Sequence, residues 1–148
     1  MSDEKLLHAT LIEFSGNGVL LTGRSGSGKS DLALRLMTSY GALLVSDDVV
    51  EVTRSGDTIY GKAPAAIAGM LEVRGVGIVA YPFVQHSEIR LIVNLVDSAE
   101  EIERMPKVRT EMILGLEIKQ IDLYAKENSA PDKVVAAVRL LVDGLEER

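Results

Sequence analysis

An octapeptide near the amino end of the chain reads Gly23-Arg24-Ser25-Gly26-Ser27-Gly28-Lys29-Ser30. It satisfies the pattern G-x-x-x-x-G-K-S, in which glycines let several backbone N–H groups converge on phosphate oxygens. A short β-type run, residues 18–22, precedes it, and the good helix formers of residues 31–37 follow it. This order predicts a nucleotide-phosphate site, in which Lys29 reaches the β- and γ-phosphates and the Ser30 hydroxyl binds Mg²⁺.

The composition limits the classes of protein that remain. The 148 residues suit one domain, residues 1–148, and 47% of them are apolar, which is enough for a core. The absence of cysteine excludes disulfides and thiol catalysis, and the net charge of -6 argues against non-specific nucleic-acid binding. The sequence contains neither a signal peptide nor the roughly 18–20 apolar residues of a membrane span. We therefore expect a cytoplasmic protein with no nucleic acid or membrane as a partner.

The segment before the glycine loop predicts a hairpin. Residues 6–14 alternate weakly between apolar and polar and predict one strand, with His8 near its start. Residues 15–18 (SGNG) predict the turn into the strand that enters the glycine loop. A lone histidine is most often structural or exposed, but this hairpin places its strand beside the phosphate site.

An acidic pair follows the next buried strand. The loop helix is expected to end near Tyr40, with Gly41 as its stop. The apolar run 42–45 then leads through Ser46 into Asp47 and Asp48. A carboxylate at such a strand end can hold Mg²⁺ or its water, although a solvated acidic turn is the alternative. Side chains alternate along extended backbone, so the two carboxylates face different directions, and which of them would act as a base stays open.

A second charged pair lies in the middle of the chain. Residues 49–53 and 58–62 predict a hairpin, and residues 71–79 predict an extended segment with Glu72 and Arg74 on one side. A carboxylate there can bind Mg²⁺ and a guanidinium can bind phosphate. A surface ion pair is the alternative reading of the same two residues.

The second half of the chain predicts packing elements. Residues 89–96 and 117–123 predict strands, and residues 98–105 predict an acidic helical or turn segment that contains Arg104. The clearest helix begins after Ser129, with Pro131 in its first turn. Its apolar stripe consists of Val134, Val138, Leu141 and Leu145.

Together these motifs resemble the catalytic domain of the HPr kinase/phosphorylase family. The family signature Leu-Glu-[Ile/Val]-Arg-Gly-x-Gly-Ile matches residues 71–78 (LEVRGVGI). His8, the aspartate pair and the Val-Glu-Val run of residues 50–52 match three further features of the family. The resemblance extends from about residue 7 to residue 138. The glycine loop alone is common to many protein classes, whereas its combination with the signature and the aspartate pair is specific.

The resemblance implies a fold and an activity. The implied fold is α/β, a P-loop kinase domain with a central mixed sheet, PEP carboxykinase-like rather than doubly wound. The implied reaction uses ATP and Mg²⁺ to phosphorylate a serine of HPr, the small carrier protein of the sugar phosphotransferase system. In the family the same site also removes that phosphate with inorganic phosphate, and the family forms hexamers.

The resemblance also assigns roles to individual residues. It implies nucleotide binding by residues 23–30 and Mg²⁺ binding by Ser30 and Glu72. The base that takes the serine proton comes from the aspartate pair, and His8 lies beside it. The catalytic side chains implied by the family are His8, Lys29, Asp47, Asp48, Arg74 and Arg104.

Two departures from the family pattern accompany the resemblance. The family commonly carries a further amino-terminal domain, and this sequence is similar to the short form found in some proteobacteria. A basic family loop, Pro-Val-Arg-Pro-Gly-Arg-Asn, is linked to dephosphorylation, and here residues 122–128 read DLYAKEN, of which only Asn128 matches. Weak phosphorylase activity is therefore expected. The alternatives to an HPr kinase are a small-molecule P-loop kinase and a nucleotide-responsive regulatory module without catalysis.

Overall fold

A computed structural model describes residues 3–143 of the chain, which form eleven strands and two α-helices. The strands are β1 (Glu4–Leu7), β2 (Thr10–Phe14), β3 (Asn17–Gly23), β4 (Leu43–Ser46), β5 (Val50–Ser55), β6 (Thr58–Lys62), β7 (Met70–Val73), β8 (Gly77–Ala80), β9 (Ser87–Leu95), β10 (Arg109–Ile113) and β11 (Leu116–Leu123). The helices are α1 (Lys29–Tyr40) and α2 (Ala130–Asp143). Met1, Ser2 and residues 144–148, including Leu145 of the expected helix stripe, lie outside the described residues.

Strand β9 organises the main sheet. In the described part of the chain nine strands form one mixed sheet, in which β1-β5-β6-β9-β3-β2-β4 are successive neighbours. One edge of β9 pairs in parallel with β3. Its other edge pairs with β6 near its start, antiparallel, and with β11 towards its end, in parallel. The sheet therefore divides at β9 and curls, which confirms the expected α/β class with a mixed sheet.

The central strands are apolar on both faces because both faces are covered. Alternate side chains of β3 enter two different core clusters, with Val19 and Leu21 on the helix side and Leu20 on the opposite side. On the helix side the sheet packs against Leu32 of α1 and Val134 of α2, all of them buried. The continuous apolar runs that predicted these strands thus reflect two-sided burial.

Both helices confirm their predictions. Helix α1 ends at Tyr40, and Gly41 follows with a left-handed φ of 71°, a conformation that glycine adopts at low cost. In α2 the predicted stripe packs inward, since Val134 and Val138 are buried and Leu141 is partly buried against the same cluster. Within residues 3–143 neither helix has the length and apolar content that a membrane crossing requires.

The prediction of one strand over residues 6–14 was wrong. The segment forms β1 and β2, and His8 lies in the bend between them rather than on a strand. The two strands have different partners, because β1 pairs with β5 whereas β2 pairs with β3 and β4. The chain must turn at His8 to pass from one pairing to the other.

The extended reading of residues 71–79 was also wrong. The segment is a hairpin of β7 and β8, and Arg74 lies in its turn with Gly75 and Gly77 in left-handed conformations, at φ of 86° and 128°. Glu72 and Arg74 therefore do not share one strand face. In the second half, residues 98–105 contain only a short 3₁₀ turn, Ala99–Glu101, and β10 was not predicted.

Candidate active site

The glycine loop connects the end of β3 to the start of α1. Gly23, Gly26 and Gly28 have φ values of 143°, 84° and 101°, a region in which side chains cause strain. Gly28 precedes the first helical residue, and no side-chain hydrogen bond caps the helix there. The first N–H groups of α1 therefore point out of the helix start, where they and the helix dipole favour an anion.

Lys29 lies across the loop. Its Nζ donates to the carbonyl oxygen of Gly23 at 2.8 Å and to that of Arg24 at 3.1 Å. The Arg24 side chain forms an exposed ion pair with Asp97 at 3.0 Å. Ser25 is exposed at the loop tip, whereas Ser27 is buried and its hydroxyl has no hydrogen-bond partner among the described residues. The ammonium of Lys29 is thus held over the backbone that a phosphate would approach.

Asp47 connects the loop helix to two other elements. Its carboxylate is buried and accepts hydrogen bonds from the Ser30 hydroxyl at 2.5 Å and the Thr10 hydroxyl at 3.0 Å. The backbone N–H of Glu72 lies 3.4 Å from its second oxygen. Asp47 therefore brings together the end of the glycine loop, the start of β2 and the β7–β8 hairpin.

Asp48 has a different environment from its neighbour. It is exposed, and its φ of 69° is left-handed, which is uncommon for a residue other than glycine. Its backbone is fixed, because its N–H donates to the Thr10 hydroxyl at 3.3 Å and its carbonyl accepts from the Ala9 N–H at 3.1 Å. The two carboxylates therefore diverge as expected, one buried in hydrogen bonds and the other free in solvent.

Three further residues that were predicted to be catalytic lie outside the Asp47 cluster. His8 is exposed and precedes Ala9, whose backbone is hydrogen-bonded to Asp48. Arg74 is exposed in the turn two residues after Glu72, and Arg104 lies on the exposed segment between the 3₁₀ turn and β10. Among residues 3–143 no hydrogen bond or ion pair joins these three side chains to the Asp47 cluster. Their catalytic roles stay predictions.

The residues around Asp47 suit a magnesium ion that is coordinated partly by protein oxygens and partly by phosphate oxygens. The described residues contain no group of three or more acidic or histidine side chains arranged as a metal cage. Mg²⁺ at nucleotide sites does not need one, since it takes one or two protein oxygens and completes its shell with phosphates and water. The Ser30 hydroxyl, held at 2.5 Å by Asp47, and the nearby exposed Glu72 offer that oxygen set.

A polar chain at the carboxyl ends of the parallel strands was missed by sequence reasoning. Thr22 of β3 donates to Asn94 of β9 at 3.2 Å, and Asn94 donates to Asp122 of β11 at 3.2 Å. Arg109 of β10 forms an ion pair with Asp122. The signal was present in the sequence, because Thr22 and Asn94 each interrupt an apolar strand next to its end. These side chains lie at the carboxyl ends of the strands, where open α/β sheets bind ligands.

Comparisons with known proteins agree with this geometry. A family model described as HPr Serine kinase C-terminal domain matches residues 1–140. Relatives named HPr kinase/phosphorylase from Lactobacillus delbrueckii subsp. bulgaricus and Burkholderia lata are 33% and 38% identical over 146 and 144 residues. The matches cover 91% and 90% of this chain but 46% and 44% of the relatives, so the chain spans less than half the length of these two proteins.

A solved structure resembles the whole fold. The Hpr(Ser) kinase/phosphatase from Coxiella burnetii matches with a TM-score of 0.84 at 29% sequence identity, over 96% of this chain and 99% of that one. The likeness therefore extends over nearly the whole of both chains. On the match of its sequence to the family model, the chain belongs to the HPr serine kinase C-terminal domain family.

Proposed function

We propose that this chain is an ATP- and Mg²⁺-dependent protein kinase that phosphorylates a serine of an HPr-type carrier protein. The observation that carries the proposal is the divergence of the two adjacent carboxylates. Asp47 is buried on the Ser30 hydroxyl, and Asp48 is exposed beside it. These two environments suit a kinase for a hydroxyl substrate, in which one carboxylate organises the metal ligand and the other receives a proton.

In this proposal the glycine loop and the Asp47 cluster bind the nucleotide phosphates with their metal and stabilise the charge of the transferring phosphoryl group. The loop N–H groups and Lys29 bind the β- and γ-phosphates and stabilise the negative charge that develops on the transferring group. Ser30 and Glu72 would hold Mg²⁺, with Asp47 orienting the Ser30 hydroxyl by its 2.5 Å hydrogen bond. When bound, the metal supplies Lewis-acid neutralisation of phosphate charge.

The proton of the substrate serine goes to Asp48 in this mechanism. The serine oxygen forms a bond to the γ-phosphorus while the bond from that phosphorus to the β,γ-bridging oxygen breaks, and ADP leaves. A serine hydroxyl is a weak nucleophile at neutral pH, so a carboxylate that accepts its proton assists the transfer. Solvent exposure of Asp48 leaves room for a protein substrate. His8 would orient this carboxylate, and Arg74 and Arg104 would contact phosphate.

A labelling experiment tests the proposal. The protein is incubated with γ-labelled ATP, Mg²⁺ and a cognate HPr, in parallel with HPr whose target serine is changed to alanine. We expect label on the first HPr and none on the second. Label on neither protein would refute the kinase proposal, and retained nucleotide binding in that case would favour the regulatory module. Transfer to a small molecule instead would favour the small-molecule kinase.

We expect phosphate-dependent release from phospho-HPr to be weak. The family arginines are missing from residues 122–128, and Glu127 here pairs with Lys133 of α2. A carboxylate in place of a guanidinium does not attract the inorganic phosphate that the reverse reaction requires. The check is release of phosphate from purified phospho-HPr at raised inorganic phosphate. Brisk release would show that these arginines are unnecessary.

The wider family features complete the proposal. They are a PEP carboxykinase-like arrangement of the P-loop domain, a hexameric assembly and a cytoplasmic location, where HPr and ATP are both present. The mass of the native particle in solution tests the assembly.

A further inference from the structure

The segment of residues 124–128, between β11 and α2, is fastened to the helix of the glycine loop. Arg35 of α1 donates from its two terminal nitrogens to the carbonyl oxygens of Ala125 and of Glu127, the latter at 3.3 Å. Asp31, one turn earlier in α1, lies 3.2 Å from Nε of the same guanidinium. Planar guanidinium groups fix two acceptors at once, so Arg35 determines where this segment lies relative to α1.

The same segment touches the glycine loop itself. Ala125 is buried, and a Cβ placed at Gly28 would lie 3.2 Å from the Ala125 methyl group. Gly28 is the residue before the first turn of α1. The segment, called the wall below, therefore packs directly against the end of the glycine loop, next to the start of that helix.

The two charged residues of this wall, Lys126 and Glu127, differ in whether their charge is paired. Glu127 forms an ion pair with Lys133 of α2, so its carboxylate is compensated within the segment and its helix. Lys126 is exposed, and no hydrogen bond or ion pair to its side chain is found in the part of the chain that the structure describes. The charge that this wall presents to solvent is thus the Lys126 ammonium, on the residue after the one that contacts Gly28.

We propose that residues 124–128 form a second nucleotide-contacting segment, in which the Lys126 ammonium binds the phosphate chain of the nucleotide. The proposal deepens the kinase proposal above and rests on its nucleotide site. Lys126 is adjacent to the wall residue Ala125 and has a flexible four-carbon stem, so it can reach an anion at the start of α1. The chain carries a net charge of -6, which repels a polyanion overall, and local cations at the site therefore matter for affinity. Arg35 is the positioning residue of this segment.

Nucleotide affinity of Lys126→Ala tests the proposal. We expect the Kd for MgATP, measured by titration calorimetry, to rise about 3- to 10-fold, the size of a partly solvated charge contact. Lys126→Arg keeps the charge and should bind within about 2-fold of wild type. The matched control is Arg139→Ala, which removes one positive charge from an exposed position well along α2. It should leave Kd unchanged, and the difference between Lys126→Ala and wild type should shrink as ionic strength rises.

Two outcomes overturn the proposal while the kinase proposal stands. One is a wild-type Kd for Lys126→Ala. The other is an equal loss in Lys126→Ala and Arg139→Ala, which would reveal an effect of net charge alone. Failure of the wild-type protein to bind MgATP would instead refute the nucleotide site itself and both proposals with it.

Discussion

The two sides of the glycine loop are held by different kinds of contact. On one side, the Asp47 carboxylate bonds to the hydroxyls of Ser30 and Thr10. On the other side, Arg35 bonds to backbone carbonyls of residues 124–128, and a single methyl group packs on Gly28. Side-chain bonds require particular residues, whereas carbonyl bonds require only a backbone shape. This difference explains how residues 122–128 can depart from the family pattern and still pack against the loop.

The largest effect is expected from Asp48→Asn, on the side-chain-bonded side. Asparagine tolerates the left-handed backbone at φ of 69° and keeps the shape of the side chain, but it cannot accept a proton. Phosphoryl transfer to HPr should fall by about 10²-fold or more while the Kd for MgATP stays within about 2-fold. Single-turnover transfer and nucleotide titration measure the two quantities. A wild-type transfer rate would remove this carboxylate from the mechanism.

The next effect is the loss of stability in Asp47→Ala. The change leaves the Ser30 and Thr10 hydroxyls without their shared acceptor in a buried place. We expect the free energy of unfolding to drop by about 1–3 kcal/mol, measured by urea denaturation. Asp47→Asn, which retains one oxygen acceptor, is the matched variant and should lose less. Equal stability of Asp47→Ala and wild type would mean that this cluster does not hold the loop in place.

A smaller effect is expected on the carbonyl-bonded side. Arg35→Gln removes the forked donor from two carbonyl groups, and we expect a loss of about 1 kcal/mol, because the guanidinium is partly solvated. Amide hydrogen exchange should accelerate in residues 124–128 more than in the sheet. Arg139→Gln on α2 provides the control. Unchanged exchange in the segment would show that Ala125 packing alone fixes it.

The smallest effect reverses sign. Asp48→Gly removes the Cβ that strains the backbone at φ of 69°, so stability should rise by a few tenths to about 1 kcal/mol even though transfer is lost. Asp48→Ala, which keeps a Cβ, should not gain stability. Thermal unfolding of the two variants side by side measures the contrast. A loss of stability in Asp48→Gly would show that the left-handed conformation there is not strained.

Local patterns predicted the parts of the fold that depend on local physics. Helix α1 ends before Gly41, as the preference of glycine for left-handed backbone indicated. The apolar residues of α2 at helical spacing correctly marked its buried face. The order of strand, glycine loop and helix around residues 23–30 followed from the same kind of signal. The divergence of Asp47 and Asp48 was also expected, but the alternation of extended backbone does not cause it, because β4 ends at Ser46 and Asp48 has a left-handed φ of 69°.

The remaining features depend on partners far away in the chain. A weak alternation over residues 6–14 could not show that β1 and β2 pair with different strands and bend at His8. The turn at Arg74 depends on the left-handed conformations of Gly75 and Gly77. In the sequence alone, the same two glycines are also compatible with an extended segment. Sequence motifs could not predict the position of residues 124–128, because Arg35 binds backbone carbonyl groups, which every residue possesses.

The pairing of β3 with β9, a strand that lies far along the chain, has a consequence for how the protein is made. Thr22 and Asn94 meet across 72 positions of the chain, and Asn94 and Asp122 across a further 28. A ribosome therefore produces β3 with its hairpin partner β2 long before the strand that covers its other edge exists. Until β9 emerges, β3 presents an apolar open edge of the kind that invites mispairing. Folding is expected to be slow and to complete late, because contacts between distant segments must form before the loop strand is enclosed.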